Sequence, residues 1–165
     1  MEVVFTNKID EIDLEKLMDI YEESNWENIQ KAYNLVGGLN NFYENEKIYQ
    51  IYKDAYISYL KDDFFANKEN YLIILKDKDT YLSALRLHYR KDYYLIEALE
   101  TNPNFRNKGY GERLMSEVLK AFPYRTVFRS EVAISNEKSL GLHKKLGFKI
   151  IEKNENNLVL SMESD

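Results

Sequence analysis

Residues 93–122, YYLIEALETNPNFRNKGYGERLMSEVLKAF, form the stretch from which most of the fold can be predicted. The first nine are rich in aromatic and aliphatic side chains, which is typical of a β-strand. Asn102-Pro103 ends that strand, because proline has no N–H to donate to a ladder. Apolar residues then recur at the spacings of one helix face, at Leu114, Met115, Val118, Leu119 and Phe122. The stretch therefore predicts a strand, a tight turn and a helix.

The predicted turn carries Arg106, Gly109 and Gly111 in an R-x-x-G-x-G spacing. Two residues without side chains let the backbone approach a ligand closely, and the free N–H groups of a first helical turn favour an anion. The chain has no G-x-x-x-x-G-K-[ST], and Leu114 occupies the place of the third glycine of G-x-G-x-x-G. The turn thus predicts a phosphate site of another kind, with a simple connecting turn as the alternative.

Two segments of the chain resemble sequence motifs of the GNAT (Gcn5-related N-acetyltransferase) superfamily. Residues 102–111, NPNFRNKGYG, are similar to its pyrophosphate loop, [RQ]-x-x-G-x-[GA]. Residues 136–148, NEKSLGLHKKLGF, are similar to its N-x-x-A-x-x-L-Y-x-K-x-G-F helix and strand. Both occur in the family's order and together cover roughly the C-terminal half. The resemblance implies an α/β (α+β) GNAT fold, with one mixed, mostly antiparallel sheet and helices on both faces, over a single domain at 1–165.

Length, composition and charge are consistent with one intracellular domain. The chain has 165 residues, of which 44% are hydrophobic and 31% charged, and it contains no cysteine. No apolar run approaches the roughly 20 residues that span a bilayer, and the N-terminus lacks the pattern of a signal peptide. A net charge of −5 argues against a general nucleic-acid binder. We therefore expect a cytoplasmic protein with no membrane and no nucleic-acid partner.

The rest of the chain yields a coarse assignment of helices and strands. Asp10 is expected to cap a helix whose buried stripe begins at Leu14. Asn136 or Ser135 caps a later helix that ends at Gly147. The remaining predictions are a strand at 3–6, a helix fragment and loop at 24–45, a helix at 46–61, a hairpin of 71–75 with 81–89 around 76–79, a strand at 126–134, and a hairpin of 148–152 with 158–162.

The resemblance implies transfer of the acetyl group of acetyl-CoA to a primary amine of an unidentified small molecule or peptide. In the family, the strands that correspond to 93–101 and 126–134 splay apart, and the pantetheine arm lies between them. The residues expected to contact acetyl-CoA are Leu99, Thr101, Arg106, Asn107, Lys108, Gly109, Tyr110, Gly111, Glu112 and Asn136. Arg113 is expected to add positive charge near the phosphates, and Asn136 has the alternative role of an ordinary N-cap.

Three residues are candidates for proton transfer. Glu97 and Glu100 are the candidate general bases, on opposite strand faces unless a bulge intervenes, and an ion pair with Arg86 is the alternative for either. His143 stands where the family motif has a tyrosine placed as general acid for the leaving thiolate. A histidine can serve there if its pKa allows, and a solvated helix residue is the alternative.

Other activities stay open at this point. The chain is expected to be an acetyl-CoA-dependent N-acetyltransferase, with a catalytically silent CoA-binding module or a transferase using another acyl-CoA as alternatives. Two distant histidines without paired carboxylates predict no metal site. The sequence leaves open a homodimer as well as the identity of the amine acceptor.

Overall fold

The structure of the protein is a computed structural model that describes residues 1–33 and 46–164. Within them the chain forms seven strands and five α-helices. In order these are β1 Glu2–Thr6, α1 Leu14–Ile20, α2 Glu22–Tyr33, α3 Glu46–Ser58, β2 Tyr71–Asp77, β3 Thr80–Tyr89, β4 Tyr94–Thr101, α4 Tyr110–Ala121, β5 Val127–Ala133, α5 Glu137–Lys145, β6 Lys149–Lys153 and β7 Asn157–Glu163. Short 3₁₀ turns at Ile9–Glu11 and Pro103–Phe105 and a π-helical turn at Tyr59–Phe64 complete this part of the chain.

All seven strands form a single sheet in the order β1-β2-β3-β4-β5-β7-β6. Neighbouring strands are antiparallel except β4 and β5, which are parallel. Parallel strands need a crossover connection, and α4 provides it. The expected mixed, mostly antiparallel sheet with helices on both faces is therefore confirmed.

The sheet separates two apolar cores. On one face, the apolar stripe of α4 packs against β2, β3 and β5, around residues such as Leu85, Leu114 and Phe128. On the other face, α1 and the π-helical turn pack against β2 and β3, around Leu17 and Phe64. Burial on both faces explains why β2 has four consecutive buried residues, Leu72, Ile73, Ile74 and Leu75, rather than an alternating pattern.

A β-bulge interrupts β4 near its middle. Ala84 pairs with Glu100 and Arg86 pairs with Glu97, so Leu85 alone lies opposite the two residues Ala98 and Leu99. Ala98 has a φ of 50°, in the left-handed region that glycine adopts without strain. The bulge shifts the alternation of side chains along the strand by one residue.

Strands β4 and β5 separate where this bulge begins. Their parallel register runs from the pair Tyr94 and Phe128 to the pair Ile96 and Ser130 and stops there. Beyond it β5 continues to Ala133 beside β7, while β4 continues beside β3. The splay expected from the family resemblance is present, and it opens a gap between the two strands.

Several local predictions need correction. Asp13, not Asp10, caps α1, because its carboxylate accepts a hydrogen bond from the Lys16 N–H while Asp10 lies in the preceding 3₁₀ turn. Strands β2 and β3 extend to Asp77 and from Thr80, which tightens the predicted four-residue turn. The helix predicted at 46–61 ends at Ser58 and continues as the π-helical turn. The helix predicted within 24–45 is α2; residues 34–45 lie outside the described residues.

Candidate active site

The turn between β4 and α4 brings backbone N–H groups to the end of the sheet. Gly109 caps α4 with a φ of 77°, a conformation that glycine adopts without strain. A Cβ on Gly111 would lie 3.4 Å from Thr101 Oγ1, so the start of α4 lies in close contact with the end of β4. The first N–H groups of α4 have no intrahelical acceptor and carry the positive end of the helix dipole. The turn therefore has the geometry of an anion cradle.

A cavity of about 580 Å³, which we call the loop cavity, opens in front of this turn. Nine of the ten residues predicted to bind acetyl-CoA line it. They are Leu99, Thr101, Arg106, Asn107, Gly109, Tyr110, Gly111, Glu112 and Asn136. Residues as far as 37 positions apart in sequence, Leu99 and Asn136, thus share one concave surface, as a single elongated ligand requires.

Lys108 and Arg113, two predicted contributors of positive charge, lie elsewhere. The Lys108 ammonium stands 5.5 Å from the centre of the Phe105 ring, outside the lining of the loop cavity. Arg113 faces β1, where it donates to the Met1 sulfur at 3.6 Å and lines a different cavity. The direction of Arg113 follows from its position on α4, two residues past Gly111 and therefore turned away from the loop.

Helix α5 supplies cations to the loop cavity that the sequence analysis missed. Lys138 and Lys145 line it, together with Ser139, Gly141 and Leu142. Lys145 Nζ lies 2.7 Å from a Glu112 carboxylate oxygen, and Lys138 Nζ lies 3.4 Å from Asn107 Oδ1. Their spacing of seven residues places both lysines on one helix face. This spacing is the feature of the sequence from which their position could have been predicted.

Arg106 connects the loop cavity to helix α2. Its Nη1 lies 2.5 Å from a Glu23 carboxylate oxygen, and its Nε donates to the Thr101 carbonyl at 3.4 Å. The side chain is about one-third exposed and lies at the mouth of the cavity. Arg106 therefore holds α2 close to the end of β4.

A second cavity of about 620 Å³, the strand cavity, lies in the gap between β4 and β5. Its walls include Arg86, Glu97, Ser130 and His143. Both cavities are lined by the same four residues at their junction, Leu99, Glu100, Asn136 and Ser139. A ligand extending along the loop cavity therefore ends at the opening of the strand cavity, next to the bulge.

Glu97 and Glu100 share one face of β4 because of the bulge. Ile96 and Leu99, three positions apart, both pack in the α4 core, so the residues that follow each of them point to the other face. The alternation assumed from the sequence would have separated the two glutamates. In the structure both glutamates line the strand cavity.

Their surroundings differ. Glu97 Oε2 lies 3.6 Å from His88 Nδ1 and 4.0 Å from Arg86 Nε, which is the predicted alternative of an ion pair. Burial raises the pKa of Glu100, and nearby Glu23 and Glu27 add to the rise, while Ser24 and Arg106 oppose it. A carboxyl with a raised pKa at the junction of two cavities has the character of a general base.

His143 is buried, with 2% of its surface exposed, so its alternative assignment as a solvated residue is wrong. Its Nδ1–H donates to the Ser139 carbonyl at 2.8 Å, and its ring packs edge-on against Phe148 at 5.0 Å. Nε2 is buried without a partner among the described residues. Burial lowers the pKa of His143, although the bond to Ser139 acts against this. The ring is therefore neutral at pH 7 with a free lone pair on Nε2, whereas proton donation requires the imidazolium.

Asn136 caps α5, as one of its two predicted roles requires. Its Oδ1 accepts a hydrogen bond from the Ser139 N–H at 3.1 Å. The residue also lines both cavities, beside Ser139 at their junction. The N-cap role is confirmed, and contact with the pantetheine arm stays a prediction.

Comparison with protein families identifies the origin of this geometry. A family model described as acetyltransferase (GNAT) family matches residues 30–148. The chain belongs to the GNAT acetyltransferase family. The match covers β2 to α5 and includes both motifs from which the resemblance was predicted. A search of curated protein sequences gave no significant match.

Solved structures of other GNAT proteins have the same fold. PaiA N-acetyltransferase from Thermoplasma acidophilum, in complex with coenzyme A, has a TM-score of 0.67 at 17% identity, over 99% of each chain. Aminoglycoside 6′-acetyltransferase type Ii has a TM-score of 0.68 at 12% identity, over 100% of this chain and 98% of that one. PseH from Campylobacter jejuni, in complex with acetyl coenzyme A, has 0.59 at 16%, over 99% and 100%. At these identities the likeness concerns the fold.

Two further observations concern metal ions and membranes. Over residues 1–33 and 46–164, no group of three or more histidine or acidic side chains has a metal-binding arrangement. None of the helices in the same part of the chain is both long and apolar enough to cross a membrane.

Proposed function

We propose that this GNAT protein is a single-domain N-acetyltransferase that transfers the acetyl group of acetyl-CoA to a primary amine of a small molecule or peptide. The observation that carries the proposal is the junction at the bulge. There the loop cavity, with its anion cradle, meets the strand cavity, with Glu100 at the boundary. An activated acyl group and an amine must meet at one point, and the two cavities share one.

Residues of the loop cavity would hold acetyl-CoA, which supplies an acetyl group activated as a thioester. The N–H groups at the start of α4 bind the pyrophosphate, and Lys138 and Lys145 add positive charge that Coulomb attraction favours. Backbone groups of β4 at Leu99 and Thr101, beyond the last pair between β4 and β5, hydrogen-bond the pantetheine amides in the manner of an added strand. The Leu99 N–H donates to the acetyl carbonyl oxygen as negative charge develops on it.

Glu100 accepts the proton that the attacking amine must lose. An exposed alkylamine has a pKa of about 10 and is protonated at neutral pH, so a base is needed to supply the neutral nucleophile. The amine nitrogen bonds to the carbonyl carbon, the carbon–sulfur bond breaks, and the thiolate takes up the second proton that the nitrogen loses as the amide forms. Holding both reactants at the junction supplies much of the rate enhancement.

The proposal is tested first by isothermal calorimetry with acetyl-CoA, using ATP and NADH as controls, on protein shown to be folded. Selective binding of acetyl-CoA is expected. Release of CoA thiol is then measured with a panel of small amines, amino acids and peptide N-termini. Acetyl-CoA binding without turnover of any amine would favour a silent CoA-binding module. Stronger competition by longer acyl-CoAs would favour another acyl donor.

A further inference from the structure

Tyr21 forms a buried hydrogen bond to the β4 bulge. It follows the last residue of α1, is 4% exposed, and its hydroxyl donates to the Ala98 carbonyl at 2.9 Å. The Tyr56 ring packs edge-on against it at 6.3 Å. Burial raises the pKa of Tyr21 well above its ordinary value, so the hydroxyl stays protonated and remains a donor. Tyr21 lines neither the loop cavity nor the strand cavity, and its hydrogen bond to the site is made to the backbone of β4.

The accepting carbonyl belongs to a strained residue. Ala98 has a φ of 50°, a conformation that is unfavourable for any residue with a Cβ. Such a conformation persists only where the surrounding structure enforces it. Pairing between β4 and β5 stops at Ile96, so β5 cannot hold the bulge in place. The hydrogen bond from the Tyr21 hydroxyl holds the bulge in place, and it comes from the face of the sheet opposite to α4.

The same bond determines where the next N–H points. The Ala98 carbonyl and the Leu99 N–H belong to one planar trans peptide and point in opposite directions. A carbonyl held by Tyr21 thus fixes the Leu99 N–H on the side away from Tyr21. Leu99 stands at the junction of both cavities, where the acetyl carbonyl is proposed to lie.

We propose that Tyr21 is a positioning residue for acetyl transfer, because its hydroxyl holds the Ala98–Leu99 peptide so that the Leu99 N–H faces the acetyl carbonyl. The inference rests on the proposed function. It also assigns a role to α1, which the loop motif and the second motif do not include.

The test compares Tyr21→Phe with Tyr81→Phe. The Tyr81 hydroxyl accepts a hydrogen bond from the Asp13 N–H at 3.1 Å, so its loss also removes a bond between α1 and the sheet, but far from the bulge. In Tyr21→Phe we expect kcat to fall at least about 10-fold, since a misplaced donor weakens stabilisation of the oxyanion. The preference for acetyl-CoA over CoA, measured by calorimetry, should fall with it. Tyr81→Phe should change neither quantity.

The proposal is overturned if Tyr21→Phe retains the kcat and the acetyl-CoA preference of Tyr81→Phe. If the wild-type protein turns over no amine, the proposed function fails, and the acetyl-CoA preference still tests Tyr21. If Tyr21→Phe does not fold, Ala98→Gly is added, because glycine adopts a positive φ without strain. The double variant should fold with a reduced kcat, because its peptide is no longer anchored; a wild-type kcat would contradict the proposal.

Discussion

Replacement of Glu100 by glutamine should separate the chemical step from binding. The amide keeps the shape of the side chain but cannot accept a proton at neutral pH. General bases contribute about 10²- to 10⁴-fold to rate. We therefore expect kcat in Glu100→Gln to fall at least about 100-fold, equivalent to about 2.7 kcal/mol in the barrier. The dissociation constant of acetyl-CoA should stay close to that of the wild type.

The pH dependence supplies a second signature of Glu100. Its pKa is raised, chiefly by burial, so wild-type activity should increase as pH rises through that raised value and the carboxylate forms. The activity of Glu100→Gln should lack this increase with pH. The free energy of unfolding should change in the opposite direction. A carboxyl whose pKa is raised in the folded protein stabilises the fold at a pH below its pKa in the unfolded chain, and this stabilisation is lost as pH rises through its pKa in the folded protein. Glu100→Gln should therefore melt at a higher temperature than the wild type at pH 7.

Glu97→Gln is the matched control, because Glu97 lies on the same strand and the same face. Its carboxylate is already close to His88 and Arg86. We expect kcat close to wild type, and a loss of stability of about 1 kcal/mol, or about 2–4 °C in Tm for a chain of this size. Thiol release measures kcat, calorimetry measures the dissociation constant of acetyl-CoA, and thermal melts measure Tm. A wild-type kcat in Glu100→Gln, or an equal loss in Glu97→Gln, would refute the assignment of the base.

Three further substitutions test the loop cavity, the stability of α5 and the role of His143. Gly109→Val should abolish measurable acetyl-CoA binding, and unchanged affinity by calorimetry would contradict the anion cradle. The variant should still fold, because a Cβ at this position meets no atom within 4 Å and the left-handed backbone costs about 1–2 kcal/mol. Gly141→Ala should stabilise α5 by about 0.5–1 kcal/mol in thermal melts, since its Cβ also meets nothing within 4 Å. Because the buried His143 ring is neutral at pH 7 and lacks the proton that a general acid donates, His143→Phe should change kcat and CoA binding to a similar extent; a kcat that falls much further than CoA binding weakens would support the predicted role as general acid. Wild-type stability should fall below about pH 6.5, since the unfolded histidine binds a proton more readily than the buried one with its lowered pKa, whereas His143→Phe lacks this loss in melts at acidic pH.

Local patterns in the sequence determined the elements and the loop. The apolar stripe of α4, the proline after β4 and the two glycines act within a few residues of one another, so short-range sterics and helical periodicity suffice to predict them. Eight of the nine predicted acetyl-CoA residues that line the loop cavity lie between Leu99 and Glu112, where the strand, the loop and the helix are contiguous; the ninth, Asn136, comes from the second motif. The second motif likewise predicted α5 with its Asn136 cap and the left-handed Gly147.

Only the tertiary structure determined how the site is completed. Ala98 gives no local signal of a bulge, because the groups that contact it there come from β3 and from Tyr21, a residue 77 positions away. The bulge in turn brings Glu97 and Glu100 to one face, and their different partners come from β3 and α2. The burial of His143 depends on its packing against Phe148 after the chain reverses at Gly147. Contacts between segments that are distant in sequence depend on tertiary packing and leave no periodic pattern in the sequence. Such contacts determine where the reacting groups lie.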